Sequence, residues 1–396
     1  MKEKLAARLK RLQSTGSPSV TTAYATRESE RSAADRQASA ELANLGFEQR
    51  DSFVWCRTSR HEVSEASRER LQFYQRSGLI LAETPGPYVF VDTETTGLGF
   101  GAGTIAFLSG FGVLSDDGTC TLRQFLLTDY PGEPSYLAHI AEYLTPESCV
   151  VSYNGKSFDL NVLQTRFLMN AIPWTKPRQL DLLYPVRRLY RSRLPRCNLS
   201  TVERDLLGVQ RNGDIPGAEV PERYFTFLQT GVAEVLRPVI THHEQDIVSL
   251  VRLLVFIEED LASAGANRRA DTVALARMLM AQDPAKAEEL LHEHADPARP
   301  FGDSRRAMIA LAGVLKRTGR SAEAVPLWRS LYRPGGSLTA GIELAKYYEH
   351  RARAPEAALE ICLQMRSRAT TGALVDSLDH RIGRLSRRLR NRESER

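Results

Sequence analysis

The sequence has few cysteines and no long hydrophobic run, and these two absences exclude several classes of protein. The five cysteines form no Cys-x-x-Cys pair, which argues against a zinc finger or redox motif and predicts free thiols in a reducing compartment. No stretch reaches the roughly 18 apolar residues of a membrane span. Residues 1–12 also lack the apolar core of a secretory signal. We therefore expect a cytoplasmic protein that does not enter a membrane.

A strong excess of charge of one sign is also missing. Of the 396 residues, 42% are hydrophobic and 26% are charged, as in ordinary globular proteins of two or three domains. The net charge of +5 is compatible with a polyanionic partner but does not require one. A partner therefore has to be inferred from local motifs.

Changes in composition divide the chain into five parts. Residues 1–40 combine a short basic helix with a stretch that nearly lacks large apolar side chains, so we predict a disordered basic arm. Residues 41–85 regain aromatic residues and are expected to pack on the next domain as strands or as a lead-in segment. Residues 86–265 alternate strands and helices. Residues 266–390 contain almost no strand signal, and residues 391–396 form a tail.

Four apolar segments between residues 86 and 265 have the length and composition of buried strands. These segments are Tyr88–Asp92, Thr104–Leu114, Cys120–Leu127 and Cys149–Tyr153. Helices are predicted at Glu133–Leu144 and Ser157–Asn170, and several more between residues 198 and 263. Three successive strands followed by alternating helices and strands predict an α/β fold.

Three segments of the C-terminal part repeat a helical-hairpin pattern: PAKAEELL, SAEAVPLW and APEAALEI. The alanines Ala287, Ala324 and Ala357 are 37 and 33 residues apart, close to the ~34-residue tetratricopeptide period. We predict an all-α repeat domain that takes no part in the chemistry and offers a concave surface to a protein partner. A plain helical bundle is the alternative. Because segment 381–396 is rich in arginine, nucleic acid is the second candidate partner.

Four carboxylates carry the chemical signal. Asp92 and Glu94 end a buried strand and, two residues apart, share one side of it. Asp159 lies in the first turn of a helix after a second buried strand, and Asp246 lies on a later helix. Oxygen-only clusters suit Mg²⁺ or Mn²⁺, and two such ions together favour phosphodiester cleavage. Taken singly, Asp159 could simply be a helix cap, and Asp246 could simply be a solvent-exposed residue. Their order along the chain favours a shared metal site.

These residues resemble the three exonuclease motifs of the DEDD (DnaQ-like) superfamily. VDTETTG is similar to the first motif, Asn154 and Asp159 in NGKSFD to the second, and His242 with Asp246 to the third. The phrases DLLYPVRRLY, CNLSTVERDLLGVQR, NGDIPGAEVPERYF and THHEQDIVSL look like the YprB-like branch. In that branch a ribonuclease H-like exonuclease domain is joined to tetratricopeptide repeats. The resemblance covers about residues 85–265 strongly and the C-terminal repeats loosely.

The resemblance implies a ribonuclease H-like mixed sheet flanked by helices, followed by tetratricopeptide-like helices. It implies a 3′–5′ exonuclease for single-stranded DNA or RNA that uses two divalent cations, Mg²⁺ or Mn²⁺. The implied metal ligands are Asp92, Glu94, Asp159 and Asp246. A structure-directed endonuclease with the same site, or a catalytically idle scaffold for nucleic acid or protein, are the alternative functions. The sequence does not separate RNA from DNA.

The catalytic histidine departs from the superfamily pattern. The histidine subtype has its base five residues before the last aspartate, where this chain has Thr241. His242 instead lies four residues before Asp246, at the spacing of the tyrosine subtype, and therefore shares its helix face. His243 lies three residues before Asp246 and could also reach the site. We predict His242 as the general base, since imidazole titrates near neutrality.

Substrate contacts are predicted from the motifs and from a basic, aromatic segment. The arginines of that segment could equally form a solvated helix face. The predicted substrate-binding residues are Thr95, Asn154, Phe158, Asp181, Arg187 and Arg188.

Overall fold

A computed structural model describes residues 36–63, 87–263 and 270–394, except 98, 100, 116, 212, 281–282, 334–335 and 371. Contacts divide the chain into two compact units. The first unit comprises Met1–Pro185 and Arg196–Phe256, and the second comprises Val186–Pro195 and Ile257–Arg396. The basic helix predicted at residues 1–12 lies outside the described residues.

One mixed sheet of seven strands forms the centre of the first unit. In chain order the strands are β1 Phe47–Asp51, β2 Val54–Glu62, β3 Tyr88–Thr95, β4 Ala106–Leu114, β5 Thr119–Leu127, β6 Cys149–Ser152 and β7 Arg178–Asp181. Across the sheet the order is β1-β2-β5-β4-β3-β6-β7. The β3–β6 and β6–β7 pairs are parallel and the other pairs are antiparallel. The predicted α/β class with a mixed sheet is confirmed.

Helices surround this sheet. They are α1 at residues 36–44, α2 Glu133–Ala141, α3 Asp159–Met169, α4 Leu183–Tyr190, α5 Leu199–Val202, α6 Val220–Thr230 and α7 Arg237–Ala262. The end of α4 and the last six residues of α7 belong to the second unit. A π-helical turn, Glu203–Leu207, continues α5 and ends at Gly208, whose φ of 69° suits glycine.

Apolar side chains cover both faces of the sheet. On one face, residues of β3, β4 and β5 pack against α2 and α3, with Phe111, Tyr136 and Phe167 among the largest buried side chains. On the other face, Phe107 stacks on Tyr224 of α6, with ring centroids 3.9 Å apart. The beginning of α7 packs into this second cluster. A sheet buried on both faces explains why its central strands are continuous apolar runs rather than alternating ones.

Part of the segment predicted as a lead-in extends the sheet. Strand β2 pairs with β5 along its whole length, from Val54 opposite Leu127 to Glu62 opposite Thr119. Residues 64–86 of that segment lie outside the described residues. Residues 36–40, which we expected within the disordered arm, are the first described residues of α1. Leu42 and Leu45 of this helix are buried in the second cluster, and this packing stabilises the helix.

The second unit is helical throughout its described residues in 270–394. Its helices are α8 Thr272–Leu279, α9 Pro284–His294, α10 Gly302–Arg317, α11 Ser321–Tyr332, α12 Leu338–His350, α13 Pro355–Arg366 and α14 Gly372–Ser394. Each helix packs against the next one along the chain. The expectation of an all-helical C-terminal region is confirmed. Its assignment to tetratricopeptide-like repeats stays a prediction.

The repeated alanines occupy close helix contacts in two of the three segments. Ala287 and Ala324 are fully buried, whereas Ala357 is half-buried and its neighbour Ala358 is fully buried instead. The repeat register therefore shifts by one residue in the third segment. Ala358 packs in a cluster with Cys362 and with residues of α12 and α14.

The border between the two units lies within α7, between Phe256 and Ile257. We predicted this border after residue 265, where the amino-acid composition changes. The division by contacts lies earlier in the chain than that change of composition. All five cysteines are free thiols, as predicted. Among the helices of the described residues, none has the length and apolarity needed to traverse a bilayer.

Candidate active site

Strand β3 presents two carboxylates on one side. The side chains of Asp92 and Glu94 keep 21% and 14% of their surface exposed, whereas Thr93 and Thr95 between and after them are buried. This alternation follows from the two-residue period of a strand. The pairing of β3 with β4 becomes irregular between Glu94 and Thr95, where the strand ends. Asp92 and Glu94 therefore face one accessible cleft.

The loop after β6 brings Asp159 to the same end of the sheet. Asp159 is the first residue of α3, and its Oδ1 accepts a hydrogen bond from Thr93 Oγ1 at 2.5 Å. The loop needs Gly155, since a Cβ there would lie 2.5 Å from Ser152 Oγ and 3.1 Å from Asp159 Oδ2. Asn154 adopts a left-handed backbone with φ of 65°, which asparagine tolerates better than most residues.

Asp181, which we predicted as a substrate contact, holds this loop in place. Its buried carboxylate accepts backbone N–H bonds from Asn154 at 2.8 Å, Lys156 at 3.1 Å and Leu183 at 3.0 Å. A carboxylate engaged by three backbone donors in the interior is a structural cap. Asp181 is therefore a positioning residue for the segment that leads into Asp159.

Helix α7 supplies Asp246 and His242 from the opposite side of the cleft. His242 Nε2 lies 3.6 Å from Asp246 Oδ2 and 3.9 Å from Glu94 Oε1. The other ring nitrogen, Nδ1, lies 2.6 Å from Asp214 Oδ1. A proton on Nδ1 shared with Asp214 leaves Nε2 as an acceptor that faces the two carboxylates.

His243 points into the core rather than into the cleft. It is fully buried, its Nδ1 accepts from Gln124 Nε2 at 3.0 Å, and its Nε2 donates to the Asp92 carbonyl at 3.0 Å. Both ring nitrogens of His243 are thus hydrogen-bonded, one as acceptor and one as donor, which suits a neutral imidazole. Burial lowers the pKa of His243 to about 4. This side chain ties α7 to β3 and β5 and has no ring nitrogen left for a substrate.

Two glycines of β4 allow α7 to approach the sheet closely. Gly110 is opposite Asp92 in the β3–β4 pair. A Cβ at Gly110 would lie 2.2 Å from Ile247 Cδ1 and 2.5 Å from His243 Cε1. A Cβ at Gly112 would lie 2.9 Å from Ile247 Cγ2. These glycines set the depth at which α7 packs, and so the distance between Asp246 and the β3 carboxylates.

A second clamp joins α7 to the strand from the lead-in segment. Glu244 forms a salt bridge with Arg57 at 2.7 Å and lies 2.8 Å from His61 Nε2, and both partners belong to β2. Burial would raise the pKa of Glu244, but the hydrogen bonds from His61 and Arg57 outweigh it and lower the pKa to about 2. Strand β2 therefore helps to orient the helix that carries Asp246.

Arg211, which sequence reasoning missed, is the cation of the site. Its guanidinium donates to Asp246, binds both oxygens of Glu203 at 2.6 and 2.7 Å, and lies 3.2 Å from Asp214 Oδ2. Burial alone would lower its pKa, but the hydrogen bonds with Glu203 and the charge of Asp246 raise it overall. Arg211 stands in an irregular segment with no helical or strand period. It ends the phrase CNLSTVERDLLGVQR, which carried the family resemblance without giving this residue a role.

The four carboxylates interact through their charges. The pKa values of Asp92 and Glu94 are raised well above the ordinary range, first by burial and then by the charges of Asp246 and Asp159. Burial raises the pKa of Asp159 to about 6 against the opposing hydrogen bond from Thr93. Burial also raises the pKa of Asp246, although Arg211 lowers it. The four groups therefore disfavour simultaneous ionisation when no cation is bound.

This donor set fits a hard divalent cation in its chemistry. Carboxylate oxygens are the ligands that Mg²⁺ and Mn²⁺ prefer, and a cation would relieve the mutual repulsion. Within the part of the chain that the structure describes, however, no three His, Cys, Asp or Glu side chains are arranged to hold one ion. Two of the four carboxylates are engaged by protein donors instead: Arg211 donates to Asp246, and Thr93 donates to Asp159.

The other residues that we predicted to bind substrate do not all belong to the same unit of the chain. Thr95 is buried and donates to the Gly97 carbonyl at 2.8 Å, so its hydroxyl fixes the end of β3. Asn154 is exposed at the loop, and Phe158 is half-buried against the core beneath α3. Arg187 and Arg188 are exposed on α4, in the residues that belong to the second unit.

The first unit resembles a known class of proteins. Residues 89–257 match the family model of the RNase_H superfamily. Together with the seven-stranded mixed sheet, this match gives the first unit an RNase H-like nuclease fold. Nucleases of this class generally use divalent metal ions.

A curated relative then defines the family. The chain is 33% identical over 311 residues to the uncharacterized protein YprB of Bacillus subtilis (strain 168), and the match covers 76% of this chain and 74% of YprB. The chain belongs to the YprB family of RNase H-like proteins, as the motifs predicted.

Among solved structures, the zinc-bound E. coli ExoI–ssDNA complex was found, 14% identical with a TM-score of 0.30. That match covers 54% of this chain and 44% of ExoI. A TM-score this low does not establish a common fold.

Proposed function

We propose that this protein is a metal-dependent 3′–5′ exonuclease that hydrolyses single-stranded nucleic acid with two divalent cations, Mg²⁺ or Mn²⁺. One observation carries the proposal. Asp92, Glu94, Asp159 and Asp246 come from three separate elements and interact at one end of the sheet, beside a histidine whose ring is oriented by a carboxylate. The resemblance of these residues to the DEDD motifs supports the exonuclease direction.

Each residue has a proposed role. The four carboxylates would hold the cations, and Asp246 would leave Arg211 in order to do so. Bound divalent cations lower the pKa of water and stabilise the charge that develops on the leaving oxygen. Asp181 and Gly155 position Asp159, while His243 and Glu244 position the helix that carries Asp246.

His242 is the proposed general base. Its Nε2 faces Glu94 and Asp246, and Asp214 holds the proton on Nδ1. This arrangement matches a base whose second nitrogen is fixed by a carboxylate. Transfer of a proton from water to Nε2 would give an imidazolium that Asp214 stabilises. His243 lies outside this role because both of its nitrogens are bonded within the core.

The test uses single strands labelled at the 5′ end, incubated with Mg²⁺ or Mn²⁺. Stepwise shortening from the 3′ end is expected with the parent protein, and none with Asp92→Ala or in EDTA. A strand blocked at its 3′ end should resist cleavage. DNA and RNA strands of the same sequence are compared in parallel, since the 2′-hydroxyl is the group that separates them.

The other outcomes identify other functions. Immediate internal products that ignore the 3′ block would indicate an endonuclease built on the same site. Strand binding without any cleavage, under either metal and with both polymers, would indicate a scaffold. Equal cleavage in EDTA would refute the metal-dependent proposal.

A further inference from the structure

The second unit contains a concave groove between α11, α12 and α13. Its volume is about 590 Å³. The groove combines basic and aromatic side chains with one carboxylate; the lining residues that matter are Arg329, Tyr332, Arg333, Tyr348, Glu360 and Arg368. It lies wholly within the second unit and shares no residue with the carboxylate site.

Two of the arginines are held by neutral partners. The guanidinium of Arg329 lies over the ring of Tyr348, 5.8 Å from its centroid, and donates a hydrogen bond to the hydroxyl of Tyr348. The guanidinium of Arg368 lies over the ring of Tyr332, 5.7 Å from its centroid, and donates to the Gly336 carbonyl at 2.8 Å. These contacts fix the positions of both guanidinium groups without neutralising their charge.

Other basic residues of the same unit are paired with acids. Arg366 binds Asp379 at 2.7 Å, and Arg381 binds Glu349 at 2.6 Å. By contrast, no carboxylate among the described residues lies within salt-bridge distance of the three groove arginines, although Glu360 lines the same groove. Three guanidinium groups that line one groove without a salt-bridged acid favour an anionic ligand.

We propose that this groove binds single-stranded nucleic acid, with phosphates at the arginines and a base against the exposed part of the tyrosine rings. Basic groups interleaved with half-buried aromatic rings suit a single strand because every base has a stacking face. An acidic peptide would satisfy the guanidinium groups but would leave Tyr332 and Tyr348 without a matching partner. The inference rests on the proposed function, since it makes the groove an anchor for the same polymer.

Equilibrium binding of a fluorescent oligo(dT) or oligo(rU) to the full chain tests the groove. The measurement is made in EDTA, where no cleavage is expected and the carboxylate site repels phosphates. Arg329→Gln and Arg368→Gln should each weaken binding about fivefold to tenfold, in line with the energies of stacking and phosphate contacts. Each should also lower the slope of log K against log salt by about 0.7. Glu360→Gln should tighten binding.

Arg366→Gln is the matched control. It removes the same charge from the end of α13, but from an arginine that is already paired with Asp379. It should therefore leave both the affinity and the salt slope unchanged. If Arg329→Gln or Arg368→Gln lowers the melting temperature, Arg333→Gln replaces it, because Arg333 is an exposed side chain at the edge of the groove.

The outcomes separate the groove from the nuclease. Parent-like affinity in every stably folded groove variant, whether at Arg329, Arg368 or Arg333, would overturn the groove proposal, even if the protein cleaves strands. The groove proposal would also be overturned if the groove variants bound a labelled strand as tightly as the parent while poly-glutamate displaced that strand from the protein. That result would indicate an acidic protein partner. Loss of strand binding in the groove variants of a protein that never cleaves would uphold the groove and refute only the proposed function.

Discussion

The guanidinium of Arg211 forms a salt bridge with Asp246, the α7 carboxylate of the candidate active site. The same guanidinium binds both oxygens of the fully buried Glu203. A protein cation thus neutralises part of the acidic cluster. Under the proposed function a divalent cation and Arg211 would compete for Asp246, and the salt bridge would couple metal binding to the conformation of this arginine.

Arg211→Gln should destabilise the metal-free protein. The substitution leaves Glu203 as an uncompensated buried charge, which typically costs about 3–5 kcal/mol. Urea unfolding in EDTA measures the loss, and Mg²⁺ should restore part of it by neutralising Asp246. Arg204→Gln, which removes only an exposed pair with Asp205, is the control. Equal stability of the Arg211 variant and the parent in EDTA would contradict the role given to this arginine.

Asp92→Asn should abolish cleavage and yet raise the stability of the metal-free protein. The folded-state pKa of Asp92 is raised, so its ionised form opposes folding at pH values above the unfolded value of 3.8. The gain should be larger at pH 8 than at pH 5 and should vanish toward pH 3.8. Melting temperatures in EDTA and with Mg²⁺ measure it, with the exposed Asp376→Asn as control. A variant that cleaves, or that melts below the parent at pH 8, would speak against the shared metal site.

The two adjacent histidines should separate catalysis from stability. His242→Ala should lower the cleavage rate by about 10²- to 10⁴-fold while the protein stays folded. His243→Ala should instead cost about 2–4 kcal/mol, because Gln124 and the Asp92 carbonyl lose a buried partner. Rates are compared at a temperature where both variants are folded. The assignment of the base is wrong if the folded His243 variant is the slower enzyme.

Gly110→Ala should push α7 away from the sheet. The new methyl group would meet Ile247 and His243, an overpacking that typically costs about 1–3 kcal/mol. Chemical denaturation measures the cost, and the stabilisation by Mg²⁺ should shrink because Asp246 moves with the helix. Gly99→Ala is the matched control, since a methyl group there would meet none of the described residues within 4 Å. Indistinguishable unfolding of the two variants would remove the argument for close approach at Gly110.

Glu244→Gln should show a pH-dependent loss of stability. The folded-state pKa of Glu244 is about 2 against an ordinary value of 4.5, so its ionised form stabilises the fold fully above pH 4.5. The variant should be less stable than the parent by roughly 3 kcal/mol at pH 7. This difference should decline as the pH falls from 4.5 to 2. Exposed Glu62→Gln is the control. A difference that persists unchanged at pH 3 would refute the clamp.

Much of the first unit follows from local patterns. The apolar runs of β3 and β6 and the two-residue alternation of Asp92 and Glu94 depend on only a few consecutive residues. The position of Asp159 at the start of α3 follows in the same way. The class of fold, the family and the candidate metal ligands were therefore accessible without coordinates.

The pairing of β2 with the sheet could not be predicted from such local patterns. Its partner β5 is separated from it in the sequence by all of β3 and β4. A lead-in strand and a strand of the sheet have the same local composition. Only the pairing across the sheet distinguishes them.

What the sequence by itself determined was the identity and order of the acids, because motif spacing is local. The spacing to Asp246 favoured His242 but left His243 possible, and the tertiary structure decided which histidine faces the acids. His242 and His243 are adjacent, but successive helical residues point in different directions, and the packing of α7 on Gly110 sends one into the cleft and the other toward Gln124. It alone also brought Arg211 and Asp214 to the site. Those contacts join residues 35 and 28 positions apart, whose partners are set by packing rather than by any period in the chain.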